Sequence, residues 1–261
     1  MGINWSSAYE AGQASKTAAA AAVATTAAAA TTTTTTAASV ADDVTTAVES
    51  GLSELFDELV GVSNSLTKFG SASSTSGTAG DSYVGNYGAP YGSNVIKVDS
   101  ASGYDFTAKF VNTQSSSITV NCWNKVGPDL QPLSGSALAP TDTTLTFALP
   151  AGSSQVVAFM ENTQFACAQS CSETTASGAF ATTWIEGNML SAGSGYDVSA
   201  ILNSGGNNYN MSITSEEAPD CTSDMTQNMW LTATDPVGTS DGSCYIAQST
   251  ATLTVTMGGT V

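Results

Sequence analysis

From residue 94 onward the chain alternates. NVIKV, DFTAKFVN, SITVNCW, TLTFAL, QVVAFME, AFATTWIEG, YDVSAILN, YNMSIT, MWLTA, CYIAQ and ATLTVTM each set apolar residues two positions apart. Period two puts one set of side chains on each face of an extended strand. Gly, Asn, Pro and Ser punctuate the runs in GPDLQP, LPAGSS, SGGNN and DPVGTSDGS. These are turn chemistries that tolerate positive φ or preset it. About ten short strands with no helical interruption predict a mainly β domain over 94–261, an antiparallel β-sandwich. LPAGSS and SGGNN are each expected to close a hairpin.

The first third reads differently. Residues 1–40 are an Ala/Thr-rich low-complexity arm, in which TTTTTT disfavours helix. Over 41–69 the apolar residues Val48, Leu52, Leu55, Leu59, Val62, Leu66 and Phe69 recur with heptad spacing. Asp42 and Asp43 stand at the front and Gly70 supplies a stop. This predicts an amphipathic helix preceding the sandwich. Its seam either packs on the chain's own sandwich or, through Leu52, Leu55, Leu59, Val62 and Leu66, drives self-association into a homo-oligomer. Residues 70–93 read as a Gly/Ser/Tyr linker, with Tyr83, Tyr87 and Tyr91 expected to cover an edge of the following domain.

Charge narrows the functions. Lys16, Lys68, Lys97, Lys109 and Lys125 are the only cations against 22 acids, a net charge of −17. Nothing here can neutralise a phosphate backbone or an anionic membrane surface, so nucleic acid is excluded as a partner. No apolar run is long enough for a membrane span. There is no histidine, which removes Ser-His-Asp and Cys-His catalysis and His-ligated zinc. No metal site and no cofactor is expected. Glu216, Glu217 and Asp220, and Asp235 with Asp241, read as solvated loop acids rather than a calcium site.

Five cysteines fall at Cys122, Cys167, Cys171, Cys221 and Cys244. Their spacing suggests a small Cys167–Cys171 loop and a Cys221–Cys244 pair, leaving Cys122 free; five reduced thiols are the alternative. An extracellular or surface location is favoured over a cytoplasmic one, although the Ala-rich arm is too poor in Leu and Phe for a standard secretory leader. The sequons at Asn4 and Asn210 are usable only in that setting, and Asn210 is read as lying in a strand.

One stretch carries a family resemblance. Tyr196-Asp197-Val198-Ser199, followed by apolar residues and a Gly/Asn turn, resembles the YDVSLVDGFN segment of thaumatin-like proteins. Glu186 stands ten residues before Tyr196, where that family carries a strand glutamate. Pro150, Ala151, Gly152 and Cys167 match another family strand pair in order, and Phe110, Asn112, Val120 and Trp123 match its opening strand. The resemblance covers about residues 104–214 and is closest to low-cysteine fungal members. It departs in its missing arginines, its few cysteines and Asn203, which stands near the family's acid. It implies a sandwich fold and binding of neutral polysaccharide of the β-glucan type, through Trp184, Glu186, Tyr196 and Asp197. It also implies, more remotely, weak β-1,3-glucanase activity. Glu186 would then be one carboxylate, with Asp197, Glu161 or Asp220 as the second that glycoside hydrolysis needs. Trp123 and Trp230 join Trp184 as stacking candidates, with core packing the alternative for each. The sequence alone ranks a non-catalytic structural or assembly protein first, glycan binding next and catalysis last.

Overall fold

The computed structural model describes residues 62–74, 83–200, 209–230 and 242–258. Among these, thirteen strands build two sheets. The strands are β1 (Val95–Val98), β2 (Phe106–Asn112), β3 (Ile118–Asn124), β4 (Leu145–Leu149), β5 (Ser154–Phe159), β6 (Thr163–Gln169), β7 (Trp184–Met189), β8 (Ser194–Ser199), β9 (Met211–Ser215), β10 (Ser223–Asp224), β11 (Met229–Trp230), β12 (Cys244–Ile246) and β13 (Ala251–Met257). One sheet runs β1-β5-β2-β13-β9-β10; the other runs β11-β8-β7-β6-β3-β4, with β12 also paired to β8. A four-residue helix, α1 (Gly135–Leu138), and a 3-10 turn at Val62–Asn64 are the helical elements among the described residues.

The main core draws on both sheets. Phe110, Val157 and Val255 from the first meet Val120, Ile185 and Val198 from the second, all buried in one cluster. β13 shows the logic most plainly: Ala251, Leu253, Val255 and Met257 point inward while the intervening threonines are half-buried on the other face. Two layers sharing one core are what alternating strands need to bury a face.

Three sequence expectations are corrected by the topology. The sheets are mixed rather than antiparallel throughout, because β13 runs parallel to β2 and β11 runs parallel to β8. β13 enters its sheet directly from β12, which belongs to the opposite sheet, so no hairpin fixes its direction. LPAGSS does turn, with Gly152 at φ +68° and Ser153 N–H donating to the Pro150 carbonyl at 3.0 Å. Yet β4 and β5 enter different sheets, so the turn is an arch, not a hairpin. β8 and β9 likewise belong to opposite sheets; SGGNN itself lies outside the described residues.

The cysteine pairing is also corrected. Cys122 on β3 and Cys167 on β6 are direct cross-strand partners, their Cα atoms 4.0 Å apart, and they are bonded to each other inside the core. Cys171 sits past the end of β6 and is a free thiol, half-buried, donating to the Glu173 carbonyl at 3.2 Å. The Cys221–Cys244 pair forms as expected.

The predicted helix over 41–69 lies mostly outside the described residues, as do Leu52, Leu55 and Leu59 and the arm 1–40. Its end is visible. After the Val62–Asn64 turn, the chain from Ser65 to Gly70 is irregular. Leu66 and Phe69 pack against Ile96, Val98 and Ala158 on the outer face of the first sheet, with Phe69 edge-on to Tyr104 at 5.8 Å. Asn64 exchanges hydrogen bonds with the backbone of Thr146 (2.9 and 2.8 Å), and the Ser63 hydroxyl donates to the Thr144 carbonyl. These contacts satisfy β4, an edge strand that would otherwise present unpaired backbone groups. Leu66 is half-buried against its own sheet. The tyrosines of 83–91 also lie on the domain: Tyr83 donates to Asn162 Oδ1 at 2.6 Å and Tyr91 to the Val126 carbonyl at 2.9 Å.

Candidate functional site

β7 and β8 are antiparallel neighbours whose register sets Trp184 opposite Ser199, Glu186 opposite Asp197 and Asn188 opposite Gly195. Ile185, Met189, Tyr196 and Val198 fill the core. Strand alternation therefore sends Glu186, Asn188, Gly195, Asp197 and Ser199 to the outer face of the second sheet. Glu186 and Asp197 are a direct cross-strand pair, with Cβ atoms about 4.5–5.5 Å apart in such a pairing.

Two like charges so placed repel, and both residues are half-buried. Burial pushes the Glu186 carboxyl above its ordinary range, opposed by the Ser199 hydroxyl and the Lys125 ammonium. Burial, and then the charge of Glu186, pushes Asp197 well above its own. One proton held between the two is the state that avoids a second desolvated charge. Ser199 is 1% exposed, yet its Oγ makes no hydrogen bond of normal geometry; its effect on Glu186 is that of a nearby dipole. Asn188 Oδ1 and Asp197 Oδ1 are also buried without a partner. Buried polar atoms are rarely left this way, and here three cluster on one patch of two adjacent strands.

Small residues surround the pair. Ala166 on β6 stands opposite Glu186, and Ala168 opposite Trp184. A Cβ added at Gly195 would meet only the Cys244 carbonyl oxygen, at 3.7 Å. Beyond the alanines, Trp123, Phe180 and Trp184 form a packed cluster with Ala139 and Ala179. The carboxylates thus sit among small side chains, beside a buried aromatic cluster.

A family model for the Allergen Asp f 4-like domain matches residues 93–257, the stretch that folds into the two sheets. The chain belongs to the Allergen Asp f 4-like domain family. Its curated relative Allergen Asp f 4 of Aspergillus fumigatus is 36% identical over 142 residues, 51% of this chain and 42% of that protein. The chain thus spans less than half the length of that relative. Two solved structures overlap more loosely. The protein elicitor MoHrip2 from Magnaporthe oryzae is 11% identical, with a TM-score of 0.35, covering 59% of this chain and 98% of that one. The thaumatin-like xylanase inhibitor TLXI is 11% identical, also at 0.35, covering 57% and 97%. Overlap at that level bears on neither fold nor function.

Within the Asp f 4-like domain the expected site residues separate. Glu186 and Asp197 come together. Trp184 does not present a ring face: it is 1% exposed, packs edge-on against Trp123 at 5.1 Å, and donates its indole N–H to the Phe180 carbonyl at 3.1 Å. Trp123 is buried in the same cluster. Tyr196 points into the core, where its hydroxyl donates to the Cys221 carbonyl at 2.9 Å. Both Trp184 and Tyr196 are corrected from sugar platforms to packing residues, because their rings are already covered by protein. Glu161 accepts from Ser191 at the β7–β8 turn, and Asp220 is exposed between β9 and β10. Glu217 is engaged by Ser215 and Thr252. Among the described residues no three His, Cys, Asp or Glu side chains gather around a common point. Asn210 is exposed and precedes β9 rather than lying within a strand. Sequence reasoning passed over Asn188 and Ser199, although each stands two residues from a chosen acid, on the same strand face.

Proposed function

We propose that this chain is an extracellular glycan-binding protein, and that the outer face of its second sheet takes neutral polysaccharide of the β-glucan class. One observation carries the reading: Glu186 and Asp197 stand opposite each other, half-buried, amid buried acceptors that have no partner. Such a patch asks for a ligand that brings hydrogen-bond donors without bringing negative charge. Sugar hydroxyls meet that requirement. The YDVS segment and Glu186, which suggested a thaumatin-like site, are the residues that supply it. The two disulfides support an oxidising compartment.

Self-association through the heptad seam ranks below this reading, because Leu66 is spent on the chain's own first sheet. Hydrolysis also ranks below it, although one protonated and one ionised carboxylate is the pairing glycosidases use. The test is retention on insoluble β-1,3-glucan by the full chain and by Glu186→Gln and Asp197→Asn. The parent should be depleted from solution and both variants should remain largely unbound. A parent that stays in solution rejects glycan binding of this class. Release of reducing sugar by the parent, abolished in Glu186→Gln, would promote the site from binding to catalysis.

A further inference from the structure

We propose that Tyr245 and Trp230 are the stacking platforms of this site, flanking Asp197 along β8 to form an aromatic–acid–aromatic strip for a linear oligosaccharide of neutral pyranose rings. The inference rests on the glycan-binding reading and names the surface through which it would operate.

The parity of three strands places these side chains. Cys244 and Ile246 are in the core, so Tyr245 between them points outward. Met229 is in the core, so Trp230 points outward. β8 carries β7 on one edge and shares its other edge between β12 and β11. Tyr245 pairs with Gly195, and Trp230 pairs with Ser199. Asp197 lies midway, two residues from each. At the usual strand rise the two aromatic positions are about 13 Å apart, a span that accommodates a short oligosaccharide rather than a single ring.

Tyr245 is held as a platform would be. It is 63% exposed, one of two large exposed hydrophobics among the described residues. Its hydroxyl donates to the Ala192 carbonyl at 3.3 Å. A Cβ on Gly193 would lie 2.0 Å from the hydroxyl oxygen, so the tip of the ring rests directly on the β7–β8 turn. That fixes part of the ring while leaving the rest to solvent, which reduces the ordering cost on binding. Gly195 beneath it carries no side chain, and a Cβ there would meet only the Cys244 carbonyl oxygen, at 3.7 Å. Ser199, buried with an unpartnered hydroxyl, stands beside Trp230. The aromatics offer apolar area to the faces of a pyranose, and the half-buried carboxylates of Asp197 and Glu186 accept from its hydroxyls. With 22 acids in the chain against five lysines, an acidic sugar is disfavoured by long-range repulsion.

The test is calorimetric titration of the full chain with a linear β-1,3-linked glucose hexasaccharide. Tyr245→Ala and Trp230→Ala should each weaken binding by about tenfold, the scale of one lost aromatic contact. Tyr245→Phe and Trp230→Phe keep a ring and should stay within about threefold of the parent. Melting temperatures of the alanine variants matching the parent's show that any loss is not a folding defect. Leu130→Ala, the other exposed hydrophobic, should bind as the parent does. If the parent binds no neutral glycan, the glycan-binding reading falls and this inference with it. If the parent binds, Glu186→Gln loses binding and both alanine variants bind undiminished, the strip alone is overturned. Tighter binding of a glucosamine hexamer than of the glucose hexamer would overturn the neutral assignment.

Discussion

The two faces of β7 and β8 follow opposite rules although they share one backbone. Inward, Ile185, Met189, Tyr196 and Val198 are fully packed, and the one polar tip, the Tyr196 hydroxyl, has its acceptor. Outward, Glu186, Asn188, Asp197 and Ser199 include three buried atoms that make no hydrogen bond of normal geometry. The inner face has every group matched, and the outer face keeps buried polar atoms without hydrogen bonds. Polar groups left unsatisfied in a folded protein mark a cost that a ligand can relieve. The contrast sets the outer face apart more sharply than any single residue does.

The inner face should therefore fail first and furthest when altered. Replacing Cys122 and Cys167 together by alanine opens a closed loop of 45 residues, and chain-entropy reasoning puts the loss at about 4 kcal/mol. Denaturant unfolding of the double variant against the parent checks it; an unchanged midpoint would mean the bond does not hold the sheet. Gly187→Ala is the next largest. The new Cβ would sit 2.7 Å from the Phe165 ring in the core, and overpacking of this kind costs about 1–3 kcal/mol. If that variant is as stable as the parent, the inner face is looser than the contrast requires.

The outer pair differs in sign rather than size. Folded Glu186 and Asp197 have raised carboxyl pKa values, through burial and, for Asp197, their mutual repulsion. For a raised acid the folded state binds more protons than the unfolded chain. Its contribution to stability is therefore full below the ordinary carboxylate range, near pH 4, and is lost as pH climbs through the folded values. Glu217 and Asp224 are held below their ordinary range, by hydrogen bonds from Thr252 and Ser215 and from Thr226 and Gln227 that outweigh burial. Their contribution is present above the unfolded values and is lost as pH falls through the lowered ones. Thermal melts of parent and Glu186→Gln/Asp197→Asn across pH 3 to 8 should separate the two. The double variant should gain stability relative to the parent as pH rises and not below pH 4. A gap independent of pH would mean the pair is not strained.

Much of this architecture is legible in the alternation. Eleven of the thirteen strands overlap the runs read from sequence, and alternation turns Glu186 and Asp197 each away from the apolar side of its own strand, while the β7–β8 register brings them together. What is not legible has a physical cause. β6 is buried along nearly all its length and on both faces, beneath Trp123 and Trp184, so TQFACAQ has no polar alternation to betray a strand. The disulfide is hidden for a related reason: spacing along the chain favours Cys171 as the partner of Cys167, while its true partner Cys122 is its neighbour only across the sheet. The turns were legible as reversals, but Gly152 at positive φ serves an arch between sheets as well as a hairpin. Which sheet a strand joins is decided by the shared core, not by local turn chemistry. Trp184 and Tyr196 are drawn to the site by the thaumatin-like resemblance and by their aromatic rings; long-range packing buries both instead.

Cys171 gives the smallest expected effect and a clean check on the sheet assignment. It lies beyond β6, where burial and the nearby Glu173 charge push its thiol up, so it is a weak nucleophile at neutral pH. Cys171→Ser should shift stability by less than about 0.5 kcal/mol, as a half-buried isosteric change away from the core does. Thiol titration of the unfolded, unreduced parent should find one reactive group, and the variant none. A Cys171→Ser chain that instead gained a free thiol would return Cys167 to the loop pairing read from spacing. Cys122 would then be released from β6, and with it the register that carries Ala166 across from Glu186.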